Sequence, residues 1–291
     1  MQAFLTRARL LLEMIKFEHT IFALPFALIS FLLAIRHTPG GFNGVTLLWI
    51  VVAMVGARSA AMAFNRLVDA EYDGRNPRTA KRHIPAGLLS RAQVGAFLII
   101  AIVLFELAAW RLNRLCFLLS PIALGAILGY SYTKRFSALC HLFLGFAIGI
   151  APIGAWIAVR GTLDVVPILL GATVMLWIGG FDIIYALQDY DFDRESALFS
   201  LPKAIGKANA LRISRLMHTI AVALLIVIGA IGGLHLFYFV GVAVVAGLIL
   251  YEQSLVKPDD LSRVDMAFFT LNGWVSVSLF AFVLLDSLVL R

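Results

Sequence analysis

The chain has 291 residues, 61% of them hydrophobic and only 14% charged, whereas soluble domains carry about 25% charged residues. That balance excludes a soluble domain with an aqueous surface. The net charge of +7 does not call for nucleic acid, because the basic residues follow a topological pattern.

Nine apolar runs approach or reach the roughly 20 residues that cross a bilayer. They are Phe17–Ile35, Val45–Phe64, Ala92–Trp110, Leu115–Tyr132, Leu139–Val159, Val165–Leu187, Leu216–Gly233, Leu236–Tyr251 and Met266–Leu288. The pattern predicts an all-α polytopic membrane protein, one domain over residues 1–291. With the N-terminus cytoplasmic, most of the 24 Lys and Arg residues fall in inner segments. The first run is too long for a signal-peptide core and is read as retained. Cys116 and Cys140 fall near opposite span ends and are expected to stay unpaired.

The second run carries Arg58, a costly ionisable group inside a span and therefore a functional candidate. It leads into "NRLVDAEYDGRNPR". A step of four residues turns a helix by only about 40°, so Asn65, Asp69 and Asp73 share one face while Glu71 points away. Arg58 returns to within about 20° of that line. Gly74 is expected to end the helix in a left-handed conformation, with Asn76 capping and Pro77 opening a short helix that bears Arg78, Lys81 and Arg82.

After the fourth run, "YSYTKRF" places Tyr130 and Lys134 on one face. After the sixth, "FDIIYALQDYDFDR" places Asp182, Asp189 and Asp193 within about 40° of each other, with Asp191 opposite and Tyr185 one turn before Asp189. Both acidic stretches open long inner loops that continue into basic segments, "KRHIPAG" and "LPKAIGK". Glu106 and Asp286 lie near outer span ends and are expected to reach water.

Carboxylate and amide oxygens without histidine or thiolate suit a hard cation, Mg²⁺ above all, whose shell is completed by water and substrate phosphate. Neighbouring Arg and Lys side chains suit the rest of that phosphate. The chemistry is that of a metal–diphosphate site at the cytoplasmic mouth of a helical bundle.

Asn65-x-x-x-Asp69-x-x-x-Asp73 paired with Asp189-x-x-x-Asp193 resembles the Asp-rich signature of the UbiA superfamily of intramembrane aromatic prenyltransferases. Tyr130 with Lys134-Arg135, Arg58 ahead of the first motif and "DIIYALQD" are similar as well. The resemblance implies nine helices around a central cavity open to lipid, in the plasma (inner) membrane of a bacterium. It implies Asn65, Asp69 and Asp73 for one Mg²⁺ and Asp189 and Asp193 for another, with catalytic weight on Asp69, Asp189, Tyr130 and Lys134. Arg58, Arg78, Arg82, Lys134, Asp182 and Tyr185 are the substrate-binding candidates. The substrates implied are a polyprenyl diphosphate and an aromatic acid in respiratory quinone synthesis.

Where many members have an Arg-Pro element, this chain reads "KFEHTIFALPFAL", with Lys16 in place of the arginine as a further substrate-binding candidate. That stretch is similar to the bacterial 4-hydroxybenzoate polyprenyltransferase-like branch, which includes the MqnP type. The departure leans the acceptor towards 1,4-dihydroxy-6-naphthoate of menaquinone synthesis, with 4-hydroxybenzoate of ubiquinone synthesis as the alternative. A transporter would place its acids at the midplane. A phosphatidyl-group transferase would hold its ligands in one short stretch, whereas Asp73 and Asp189 lie far apart.

Overall fold

The computed structural model describes residues 2–15, 22–36, 38 and 41–289, with the backbone alone for residues 2–6 and 8. Lys16 and the opening of the first expected span therefore lie outside the described residues. Those residues are overwhelmingly helical and form no β-strand. Eight helical segments are long and apolar enough to cross a membrane, so the chain is a multi-pass all-α membrane protein. The ninth expected span appears as a shorter apolar helix, Leu24–Arg36.

The chain divides into two compact units. The first contains α1 (Gln2–Met14), α3 (Gly44–Arg75), α4 (Arg91–Leu112) and α5 (Arg114–Thr133), and the second contains α2 (Leu24–Arg36) and everything after α5.

In the first unit, Met14 and Ile15 pack with Ala63 of α3 and with Leu89 and Val94 at the start of α4. Ser90 caps α4 through a reciprocal pair with Gln93, which satisfies two otherwise orphaned backbone donors. A Cβ at Gly56 would come within 2.9 Å of the Phe105 nitrogen, so α3 and α4 cross backbone to backbone. Such close approach is how helices gain contact energy where lipid removes the hydrophobic drive. Glu106 is half-buried and accepts from Ser120 of α5 at 2.6 Å.

The second unit contains α6 (Cys140–Arg160), α7 (Val165–Ala186), α8 (Tyr190–Glu195), α9 (Leu201–Ile205), α10 (Lys207–Ile231), α11 (Leu236–Leu255) and α12 (Asn272–Val289). Its largest core gathers Phe26, Ile29, Trp177, Ile178, Tyr238 and Leu279 from α2, α7, α11 and α12. A Cβ at Gly149 of α6 would sit 2.5 Å from the carbonyl oxygen of Gly171 of α7. Asp286 departs from expectation: it is fully buried, with Arg36 Nη2 at 3.3 Å and the Tyr238 and His235 backbone nitrogens at 3.3 and 3.2 Å. A carboxylate at the N-terminus of α11 accepts its orphaned amides and meets the favourable end of the helix dipole. Both cysteines are free, as expected.

Candidate active site

The first unit assembles its polar residues on the last turns of α3 and the loop behind it. Asp69 is 1% exposed and Asp73 5% exposed. Nδ2 of Asn65 donates to Oδ2 of Asp69 at 2.8 Å, one turn apart, as the common face requires. Glu71 is exposed, away from the buried acids as expected, and pairs with Arg75.

Helix α3 does not end at Gly74. That glycine is not in a left-handed conformation, and the helix continues to Arg75. Asn76 then makes a turn instead of capping a helix, its Oδ1 accepting the Arg78 amide at 3.0 Å. Thr79 Oγ1 donates to the Asp73 carbonyl at 3.0 Å, and Arg82 Nη1 donates to Asp73 Oδ1 at 2.6 Å. The loop thus returns Arg82 to the acids as expected, by turns in place of a helix, while the Arg78 side chain is exposed.

Arg66, which the sequence does not single out, is only 6% exposed and shares its surroundings with Asp69, Asp73, Arg82 and Tyr130. Its adjacency to Asn65 was the available signal. Arg58 also lies in the field of Tyr130, which is half-buried.

In the second unit, α7 stops at Ala186 and a single 3₁₀ turn, Leu187–Asp189, precedes α8. A 3₁₀ turn advances about 120° per residue in place of 100°, so its three residues shift the phase by about 60° and widen the arc of Asp182, Asp189 and Asp193 from about 40° to about 80°. Asp182 is instead held by His141 of α6, with Nδ1 2.7 Å from its Oδ2. Nε2 of His141 accepts the Leu201 amide at 3.3 Å, which places the proton on Nδ1 and ties the loop before α9 to α6 and α7. Nothing in the spacing pointed to His141.

Asp189 sits at φ −96° and ψ 5°, in the sparsely populated region between helix and extended backbone. Asp193 is 8% exposed among Ser200, Lys134 and Lys203, and Asp191 is exposed. The loop is pinned from both sides. Phe199 donates its amide to the Lys134 carbonyl at 2.7 Å, and Lys203 Nζ donates to the Ser196 and Leu198 carbonyls at 2.8 and 2.7 Å. Tyr185 stacks on Phe268, with ring centroids 4.1 Å apart.

Oxygen donors dominate both acidic ends. Oδ2 of Asp73 is buried and accepts no hydrogen bond among the described residues, a costly state for a carboxylate unless a cation meets it. Among the described residues no three Asp, Glu, His or Cys side chains close into a cage. The oxygen donors and the buried Asp73 Oδ2 fit Mg²⁺, a hard cation that takes carboxylate and amide oxygens.

Residues 23–274 match the model of the UbiA prenyltransferase family. The chain is 31% identical to the 4-hydroxybenzoate octaprenyltransferase of Tolumonas auensis, over 84% of this chain and 85% of the relative. The apo structure of a UbiA homolog from Aeropyrum pernix K1 superposes with a TM-score of 0.85 at 36% identity, covering 93% of this chain and 98% of that one. A UbiA homolog from Archaeoglobus fulgidus bound to DMAPP and Mg²⁺ shares the fold, with a TM-score of 0.72 at 19% identity over 96% and 99% of the two chains.

Proposed function

The chain belongs to the UbiA prenyltransferase family, and on that premise we propose that it moves a polyprenyl group from its diphosphate to the ring of 4-hydroxybenzoate. The single observation carrying the donor half of this reading is the buried Asp69–Asp73 pair backed by Arg82 and Arg66, with one Asp73 oxygen left for a cation. The acceptor is supported by the relative in Tolumonas auensis and its name. That support favours 4-hydroxybenzoate over the 1,4-dihydroxy-6-naphthoate to which the sequence leans. The lean rested on "KFEHTIFALPFAL", whose first six residues lie outside the described ones, and a local departure there does not measure the width of an acceptor site.

Asn65, Asp69 and Asp73 would hold one Mg²⁺, and Asp189 with Asp193 another; bound there, the metal neutralises charge on the departing diphosphate. Arg82 of the first unit and Lys134 of the second are each suited to diphosphate oxygens, and Asn65 orients Asp69 through the 2.8 Å bond. The prenyl C1–O bond breaks and its electron pair leaves with the diphosphate. The ring carbon beside the phenolic hydroxyl forms the new C–C bond and loses its proton. Apolar spans keep water from capturing the allylic cation. The asymmetry of Lys and Arg along the sequence supports a reaction at the cytoplasmic side of the bacterial plasma membrane.

The purified enzyme, incubated with octaprenyl diphosphate and Mg²⁺, is expected to prenylate 4-hydroxybenzoate much faster than 1,4-dihydroxy-6-naphthoate. Chelation with EDTA is expected to stop turnover and added Mg²⁺ to restore it. Preference for the naphthoate would overturn the acceptor, and full activity in EDTA would overturn the metal.

A further inference from the structure

A buried polar pair, Glu252 near the end of α11 and Asn272 at the start of α12, is left unused by the proposed chemistry. Residues Met266–Leu271 form a π-helical turn directly before α12, a rare geometry that is frequent at functional sites. Such a turn widens the helix and displaces its carbonyls from their usual i+4 donors. The side chain of Asn272 compensates. Its Nδ2 donates to the carbonyls of Ala267 at 3.0 Å and Phe268 at 3.2 Å, and to Oε1 of Glu252 at 3.2 Å. Asn272 and Glu252 are both fully buried, in spans of apolar sequence. A carboxyl group in that position is expensive and is retained where it does something.

What the turn presents is the Phe268 ring. It lies 4.1 Å from Tyr185, 5.1 Å from Phe181 and 4.7 Å from Phe269, centroid to centroid. Tyr185 stands four residues before Asp189, so this aromatic face lies about one turn from the proposed diphosphate end and suits the first isoprene units of the donor. We propose that Glu252 and Asn272 are positioning residues, which hold the π-helical turn so that Phe268 fixes Tyr185 against the polyprenyl donor. The functional half of this inference rests on the prenyltransfer reading; the positioning half stands on the contacts above.

The two halves are separable by experiment. With 4-fluorophenylalanine incorporated at position 268 of the full chain in detergent, the ¹⁹F signal reports the stack on Tyr185. Tyr185→Leu defines the shift of the unstacked ring. Asn272→Ala and Glu252→Leu are expected to move the signal to that position, whereas Glu252→Gln, which keeps the Oε1 acceptor, is expected to stay at the wild-type position. In the unlabelled enzyme, Asn272→Ala is expected to lower kcat/KM for the polyprenyl diphosphate by about 10- to 100-fold, as for small displacements of a positioning group, while KM for the acceptor holds. The Asn272→Ala, Tyr185→Leu double variant is expected to lose no more than the worse single one. If Asn272→Ala does not fold, Phe268→Leu is expected to raise the donor KM in the same way. An unmoved ¹⁹F signal in Asn272→Ala, additive losses, or unchanged donor kinetics in Phe268→Leu would each overturn the proposal. A wild-type chain that prenylates nothing, with the ¹⁹F shifts as expected, would leave the positioning intact and sink the prenyltransfer reading instead.

Discussion

Arg82 donates to Asp73 at 2.6 Å although nine residues separate them, because the loop behind α3 folds back and Thr79 fastens it to the Asp73 carbonyl. The bond occupies one oxygen of a buried carboxylate and leaves the other open to a cation. It therefore joins the loop's conformation to the acidic end of the helix.

Removing that bond separates the two roles. Arg82→Gln is expected to raise KM for the polyprenyl diphosphate by about tenfold, the scale of one hydrogen bond to a charged group. The Mg²⁺ concentration needed for half-maximal activity is expected to change less than it does in Asp73→Asn. Steady-state kinetics against both ligands measures this, and an unchanged donor KM would remove Arg82 from the site.

The acids differ in burial, which orders their expected effects. Asp69→Asn and Asp189→Asn are each expected to lower turnover by at least about 100-fold, the scale of a lost electrostatic group in a transition state. Asp191 is exposed, and Asp191→Asn is expected to stay within about twofold of wild type. Comparable losses in all three variants would show that burial and position do not select the acids that matter.

His141 ties the second loop to two helices through Asp182 and the Leu201 amide. His141→Ala leaves Asp182 without that partner, so limited proteolysis is expected to cut residues 196–206 faster while the spans stay protected. Activity is expected to fall through a slower turnover, since Asp189 and Asp193 frame the same loop. Equal cleavage rates in variant and wild type would count against the tie.

Asp286 is fully buried against Arg36 and the first amides of α11. Asp286→Ala strands the guanidinium and the helix end together, with an expected cost of about 3–5 kcal/mol. Thermal unfolding in detergent reads the loss. Arg36→Ala on top of it is expected to add little, because the pair is already broken. A melting temperature equal to wild type would show that water replaces the carboxylate without penalty.

The sequence by itself determined the class of molecule and the register of the first acidic motif. Both follow from short-range rules: spans are apolar over bilayer length, and a step of four keeps one helical face, as the Asn65–Asp69 bond shows. The family was legible for the same reason, since its signature is local spacing. Tertiary structure decided the rest. The 3₁₀ turn at Leu187–Asp189 shifts the phase of the second motif, and no periodicity reveals a change of helix type. Arg66, His141, Glu252 and Asn272 are ordinary letters in sequence, and their roles come from neighbours that folding brings near. Asp286 shows the same limit. A carboxylate near a span end reads as solvated until the amides of another helix enclose it, because burial is a property of packing and not of position in the chain.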